Sequence, residues 1–455
     1  MKITNPATGE LIREISEDTT ASVADKAKRA RAAQRAWAST PVAERVRVLA
    51  RWRQLVAANE ERLAKTLTLE VGKPISQSVN ELRALDGRVA FFLDNTEGVL
   101  AAEVAQQTPV EEQIRWEPLG VVANVSAWNY PYFVGSNVFV PALLTGNAVL
   151  YKPSEHAALT GLAIGELMRE AGVPDDVFQV IIGAGAIGRA LVEQPIDGVF
   201  FTGSYPTGRN IAESVAARLV KVQLELGGKD PVYVCDDADP RVAAESIADG
   251  AMYNTGQSCC SVERVYVHEA NARPFIEAFL ATVKGFVAGD PLDKNTYIGP
   301  LARKEQLAVL EAQVSDALAK GAKLLTGGKR DASRPQGYYF EPTVLVDVTS
   351  DMLVMREESF GPIIGIQVVK SDEDALRAMN DSEYGLTAGV YTKNRGRAEG
   401  LLAALNAGSV YWNCCDRVSP RLPWTGRRHS GIGSTLSSHG IRTFLQPKAW
   451  HLRSP

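Results

Sequence analysis

In GVVANVSAWNYPYFVGSNVFVPALLTGNAVLY, the stretch Gly120–Tyr151, no residue carries a charge. A run of this length is enough to cross a bilayer. However, Asn124, Asn129, Pro131, Asn137, Pro141 and Asn147 interrupt it, and glycines divide it further. It reads as strand, loop, helix and strand, buried in protein. Working outward, short β-rich runs at Val121–Val125, Ala148–Lys152, Phe178–Ile182, Gly198–Phe201 and Val220–Leu226 alternate with helical patterns at 157–172, 186–193 and 205–218. Fully apolar short strands separated by helices predict a parallel sheet covered on both faces.

After Gly227-Gly228 the alternation restarts. Strands are expected at Pro231–Cys235 and Arg264–His268 and near 341–346, 363–369, 388–391 and 408–412, with helices at 240–253, 272–287 and 303–320. Two α/β domains in series follow from this, joined near Gly227-Gly228. The chain before residue 100 is helical in period, over Ala21–Ala38, Val42–Ala58, Glu60–Glu70 and Gln77–Val99. Between the regimes, Glu103–Glu117 alternates apolar and polar residues like an antiparallel ribbon, which must pair elsewhere because it has no sheet of its own.

Composition narrows the function. The 455 residues are 45% hydrophobic and 22% charged, as in ordinary soluble globular proteins. A net charge of −4 offers no basic footprint for nucleic acid. The five cysteines include two adjacent pairs and no metal spacing, and the histidines form no zinc pattern. Adjacent cysteines bridge only with strain, so a reducing, cytoplasmic setting is expected. The first residues carry neither an apolar core nor a cleavage pattern, so no signal peptide and no membrane partner are expected.

Chemistry concentrates in two motifs. Glu225-Leu226-Gly227-Gly228-Lys229 sets a carboxylate at a strand end, where α/β sheets place ligands. Gly256-Gln257-Ser258-Cys259 sets a thiol at the start of a new element. An isolated cysteine reads as a small buried residue, and Cys260, Cys414 and Cys415 keep that reading. A thiol and a base held apart suit covalent chemistry followed by hydrolysis. Asn129, in Trp128-Asn129-Tyr130-Pro131, is a candidate amide donor to an oxyanion, with an Asx-turn as the plainer alternative.

Phe201-Thr202-Gly203-Ser204, followed by Gly208, is a strand-to-helix turn suited to a diphosphate. Lys152-Pro153-Ser154-Glu155 offers a cation and a carboxylate for ribose hydroxyls. Gly183-Ala184-Gly185-Ala186-Ile187-Gly188 also matches G-x-G-x-x-G but is set aside as a tight strand–helix connection.

Together these motifs resemble the aldehyde dehydrogenase superfamily over nearly the whole chain. Asn5-Pro6-Ala7-Thr8-Gly9-Glu10, Glu357-Glu358-Ser359-Phe360-Gly361-Pro362, Asn413 and Ser430-Gly431-Ile432-Gly433 extend the likeness in the family's order. The resemblance implies Cys259 as nucleophile, Asn129 as oxyanion donor and Glu225 as the base that activates the deacylating water. It implies NAD as cofactor, with Lys152 and Glu155 on the adenine-side ribose and Trp128 and Ser204 on the diphosphate. Glu358 and Phe360 would lie at the nicotinamide end. Ser154, Thr202, Gly203, Gly208 and Leu226 complete the expected contacts. No metal is implied.

The implied reaction is oxidation of an aldehyde through a cysteine thiohemiacetal and thioester, followed by Glu-assisted hydrolysis. Glu225 separates the chain from relatives that pass the acyl group to coenzyme A. Glu155 favours NAD over NADP by repelling a 2′-phosphate. The implied fold is a five-stranded Rossmann-like dinucleotide-binding domain (1–100 and 119–227), an α/β catalytic domain (228–426) and a β-ribbon arm (101–118 and 427–455) of a homodimer or homotetramer.

The chain also departs from the family. Asn137 and Val138 stand where many relatives carry tryptophan and lysine, and Pro423-Trp424-Thr425-Gly426-Arg427-Arg428-His429-Ser430-Gly431 replaces the usual P-F-G-G-x-K-x-S-G. No glutamate follows Gly433 at the family's usual place. Arg417 and Arg421 can anchor the distal carboxylate of a semialdehyde acid or be two solvated arginines, and Tyr130, Phe133 and Trp424 can line an apolar tunnel. The sequence does not choose among these.

Overall fold

The computed structural model describes residues 1–453. Two large sheets, a separate three-stranded ribbon and a small antiparallel pair, Lys2–Thr4 with Leu11–Glu14, make up the β-structure among the described residues. The first sheet runs Gly431–Ile432, Lys221–Glu225, Gly198–Thr202, Val121–Val125, Ala148–Lys152, Phe178–Val180 in spatial order. Its last five strands are parallel, and Gly431–Ile432 adds a short antiparallel edge. The register pairs Val125 with both Lys152 and Phe201, and Thr202 with Glu225. Thus Lys152, Thr202 and Glu225 lie along one edge, at the carboxyl ends of their strands, where open α/β sheets bind ligands.

The second sheet runs Lys323–Thr326, Thr343–Val346, Ile363–Val369, Val262–His268, Asp230–Val234, Thr387–Tyr391, Ser409–Trp412, parallel except at the first pair. Between the sheets the chain crosses at Gly227-Gly228. A Cβ at Gly228 would lie 2.5 Å from the Cys259 carbonyl oxygen, so the crossing and the cysteine turn can touch only because that residue is glycine.

The uncharged stretch resolves as expected: strand Val121–Val125, helix Pro131–Leu144 and strand Ala148–Lys152. Among the described residues no helix is long and apolar enough to cross a membrane. Small boundary differences have local causes. The strand expected to reach Ile182 stops at Val180, because the Ile182 N–H donates to Asp18 (2.8 Å). The strand expected from Arg264 begins at Val262, because Glu263 is buried by its pairing with Lys229 (2.6 Å). The helix expected at 272–287 occupies Glu269–Gly285, started by the His268 ring, which accepts from the Ala270 N–H.

The ribbon Glu103–Gln106 and Glu111–Pro118 finds its partner within the same chain: Leu445–Leu452 pairs antiparallel with Glu111–Pro118 over its full length. Residues after 427 are therefore divided. Gly431–Ile432 returns to the first sheet beside Glu225, and only the segment from Leu445 joins the ribbon.

Two buried carboxylates cap helices beside the site. Glu81 accepts from the Tyr132 and Phe133 N–H groups (2.9 and 3.3 Å), at the start of Pro131–Leu144. It also pairs with the fully buried Lys73 (2.5 Å). Glu70 accepts from the Leu159 and Thr160 N–H groups (2.8 and 2.6 Å) in the same way. Each carboxylate satisfies donors that a helix start leaves open and meets the positive end of its dipole.

Candidate active site

Cys259 follows a turn that L-residues rarely make. Asn254, Thr255 and Gly256 all have positive φ (53°, 58° and 69°). A Cβ at Gly256 would sit 2.2 Å from the Gly361 carbonyl oxygen, so the turn is wedged against the loop that carries Glu358 and Phe360. Gln257 locks it from within: its amide nitrogen donates to Asn254 O (3.2 Å) and its amide oxygen accepts from the Ala302 N–H (2.9 Å). Strain of this kind persists only where surrounding contacts over-determine it.

Asn129 belongs to the same unit. Its side-chain Nδ2 donates to Gln257 O (3.2 Å), while Asn254 Nδ2 donates to Asn129 O (3.2 Å). The buried amide is thereby tied to the backbone two residues before Cys259. The neighbouring thiol is held differently. Cys260 is buried and donates to Asp416 Oδ1 (2.9 Å). Its contact with Cys259, followed by burial, pushes its pKa well up.

Glu225 is buried at the carboxyl end of its strand. The Thr435 hydroxyl and Gln223 Nε2 (3.2 Å) both donate to its Oε1. Burial lifts its pKa to about 7, against the lowering influence of those donors and of Arg88. A carboxyl poised there can take a proton near neutral pH.

Three cavities share walls. A pocket of about 290 Å³ is lined by Trp128, Asn129, Thr202, Gly203, Ser204, Glu225, Leu226, Cys259, Glu358 and Phe360. On one side it meets a cavity of about 660 Å³, with Cys259 and Glu225 common to both walls. On the other it meets a cleft of about 680 Å³, through Trp128, Thr202 and Gly203. Lys152, Ser154 and Glu155 line that cleft. The thiol and the carboxylate therefore stand at a junction, with a long cleft behind and a wide chamber in front.

The cleft fits a dinucleotide. Lys152 is buried, and burial lowers its pKa; among the described residues its Nζ meets only Pro153 O (3.2 Å) and, at 3.9 Å, Glu155. Ser204 begins the helix Tyr205–Ala216 without capping its backbone, bonding Thr207 Oγ1 instead (3.1 Å). Pro206 offers no N–H, but those of Tyr205 and Thr207 meet no acceptor among the described residues and are available to an anion. A Cβ at Gly227 would lie 2.5 Å from the Glu358 carboxylate. Glu358 accepts from the Gly228 N–H (3.0 Å), and burial first, then the charge of Glu263, pushes its pKa up. Phe360 packs edge-on to Trp128 at 5.5 Å.

Of the expected residues, only Gly208 lines none of these cavities; a Cβ there would meet Leu226 at 2.5 Å, so it packs helix on strand. Several lining residues escaped the sequence reading. Gly185 and Gly188, set aside as a simple connection, face the cleft beside Lys152. Arg303 lines the cleft and the pocket, with His156 in the cleft alone. Arg88, Cys260 and Asp416 line the chamber. The G-x-G-x-x-G pattern was a usable signal for the first two; the others carried none.

A second buried pair holds the Glu358–Phe360 loop. Lys229 Nζ donates to Glu263 (2.6 Å) and to Ser359 Oγ (2.9 Å), and Glu263 accepts from the Ser359 and Phe360 N–H groups (2.8 and 3.0 Å). Lys229 thus serves to position the loop.

Comparison with known proteins places this geometry. Residues 1–450 match the profile described as the aldehyde dehydrogenase family. A peroxisomal aminoaldehyde dehydrogenase 2 of Malus domestica is 35% identical, over 98% of this chain and 91% of its own. The solved NAD-dependent aldehyde dehydrogenase of Sinorhizobium meliloti superposes with a TM-score of 0.97 at 34% identity, covering 99% of this chain and 91% of that one. An E. coli NADP-dependent enzyme superposes at 0.96 with 32% identity, covering 100% and 94%. A match over nearly the full length, on a chain whose thiol, carboxylate and dinucleotide cleft meet at one junction, makes this protein a member of the aldehyde dehydrogenase family.

Proposed function

We propose that the protein oxidises an aldehyde to a carboxylic acid with NAD, through a covalent intermediate on Cys259. The observation that carries this reading is the junction itself: Cys259 and Glu225 line both the chamber and the pocket that opens to the dinucleotide cleft. An aldehyde entering the chamber meets the thiol. Cys259 gives up its proton, to Glu225 or to water, and adds to the carbonyl carbon, so that the oxyanion of the thiohemiacetal faces the Asn129 amide and the Cys259 backbone N–H. Because Asn129 is tied to the cysteine turn, that donor is preorganised and needs no movement as charge develops. A nicotinamide cofactor held in the cleft would supply the hydride acceptor, and loss of the hydride from the thiohemiacetal carbon leaves a thioester on Cys259.

Glu225, with a pKa near 7, takes a proton from water, which attacks the thioester and releases the acid. Lys152, Glu155 and Ser154 would hold the adenine-side ribose, Ser204, Gly203, Thr202 and Trp128 the diphosphate, and Glu358, Leu226 and Phe360 the nicotinamide end. Glu155 beside Lys152 supports NAD over NADP, since a 2′-phosphate would face a carboxylate. The first sheet serves the cofactor and the second carries the nucleophile. The ribbon, whose Glu103–Gln106 edge is unpaired, suits an arm that joins subunits into a homodimer or homotetramer.

The test is NADH formation by purified protein across aliphatic, aromatic and charged aldehydes, with Cys259→Ser alongside. Activity lost in the variant is the expected result. Wild-type protein that binds NAD yet oxidises no aldehyde would overturn the reading.

A further inference from the structure

The chamber in front of Cys259 is lined by charged groups of both signs, and their partners distinguish them. Each of its carboxylates is engaged. Glu81 pairs with Lys73 and two backbone N–H groups. Glu225 accepts from Thr435 and Gln223. Asp249 accepts from the Tyr297 hydroxyl, and Asp416 from the Cys260 thiol (2.9 Å). Burial pushes Asp416 toward its neutral form, with a pKa of about 7.

The guanidinium of Arg88 is in the opposite situation. It comes from the helix Ile75–Leu100, is only 6% exposed and makes no ion pair among the described residues. One nitrogen, Nη1, donates to Asn137 Oδ1 (3.0 Å), and the group lies over the Phe133 ring at 4.0 Å. Its remaining N–H groups meet no acceptor among the described residues, and Arg88 lines the chamber. Glu81 and Glu225 lie near enough to feel its charge but neither bonds it, so the planar fork of the guanidinium stays open to a carboxylate. Arg417 and Arg421, on the loop that closes the same chamber, add positive charge at its exposed side and likewise make no ion pair among the described residues.

We propose that Arg88 is the specificity residue of this chamber and that the substrate is an aldehyde carrying a carboxylate beyond its reacting carbon. This rests on the aldehyde-oxidising reading above. Asn137 steers the fork by accepting from Nη1, and Phe133 supports its face. The distal carboxylate takes the free N–H groups while the aldehyde carbon reaches Cys259. A cationic aldehyde would face the same guanidinium and gain none of these bonds.

The experiment compares kcat/KM for succinate semialdehyde, butanal and 4-(trimethylammonio)butanal in wild type, Arg88→Gln and Arg88→Lys. Wild type is expected to prefer the semialdehyde over butanal by about 10- to 100-fold, as hydrogen bonds to a charged group warrant. In Arg88→Gln that ratio collapses through KM, and Arg88→Lys restores part of it. A wild type that handles butanal or the ammonio aldehyde at least as well overturns the proposal, as does a variant that lowers all substrates equally. Calorimetric binding of succinate and of butanoate to wild type gives a readout independent of turnover and of variant folding. Succinate binding tighter is expected, and equal binding counts against Arg88. If no aldehyde is oxidised, the functional reading fails, whereas oxidation without carboxylate preference removes only this inference.

Discussion

The Thr435 hydroxyl donates to the Glu225 carboxylate although 210 residues separate them in the chain. The contact exists because Gly431–Ile432 pairs antiparallel with Leu224 and Glu225, and because Thr435 and Trp424 exchange backbone hydrogen bonds (2.8 and 2.9 Å). Thr435 thus helps to set the proton affinity of Glu225.

Removing that donor should raise the pKa of Glu225 further, since the bond favours the ionised form. The base works when ionised, so activity rises with pH through about 7 in wild type. In Thr435→Val the rising limb should move to higher pH. A pH profile of the deacylation rate measures this, and an unmoved limb would separate Thr435 from the base.

Asn129→Ala should lower kcat and kcat/KM together, by about 10²–10³, because the amide acts on the oxyanion and not on the bound aldehyde. A change confined to KM would assign Asn129 to substrate binding.

Cys259 and Cys260 should separate cleanly. Cys260 is buried, bonded to Asp416 and held in its protonated form, whereas Cys259 faces the junction. Limited alkylation followed by peptide mapping should label Cys259 first. Cys260→Ser should retain NADH formation that Cys259→Ser loses.

Glu81→Gln leaves Lys73 buried without its carboxylate. Breaking a buried pair by removing one partner costs about 3–5 kcal/mol, so urea unfolding should show a loss of that order. A loss within experimental scatter would mean that water or a neighbour compensates Lys73.

Much of this architecture was legible from local pattern. The strands at 121–125, 148–152 and 363–369 have the limits expected, because each is a short run framed by helical segments or loops. Cys259, Glu225 and Asn129, which line one pocket, could be singled out because each sits in a compact motif whose neighbours constrain the backbone. Thr435 and Arg88 were not. Each acts across the fold, Thr435 through a two-residue strand and Arg88 by reaching Asn137 from a helix 49 residues earlier in the chain. Nothing local marks an arginine on an amphipathic helix as buried. The ribbon's partner carried no local signal either; only the family resemblance grouped 101–118 with 427–455, and within that tail it is Leu445–Leu452 that pairs with Glu111–Pro118.

The central claim is that Cys259 carries an acyl group that Glu225 is needed to release. The most direct measurement is rapid mixing of Glu225→Gln with NAD and a competent aldehyde, followed by peptide mass analysis. The account expects a burst of NADH stoichiometric with subunits, then a stall, with the acyl mass on the peptide containing Cys259. Steady turnover in that variant, or an acyl group on any other residue, would contradict it.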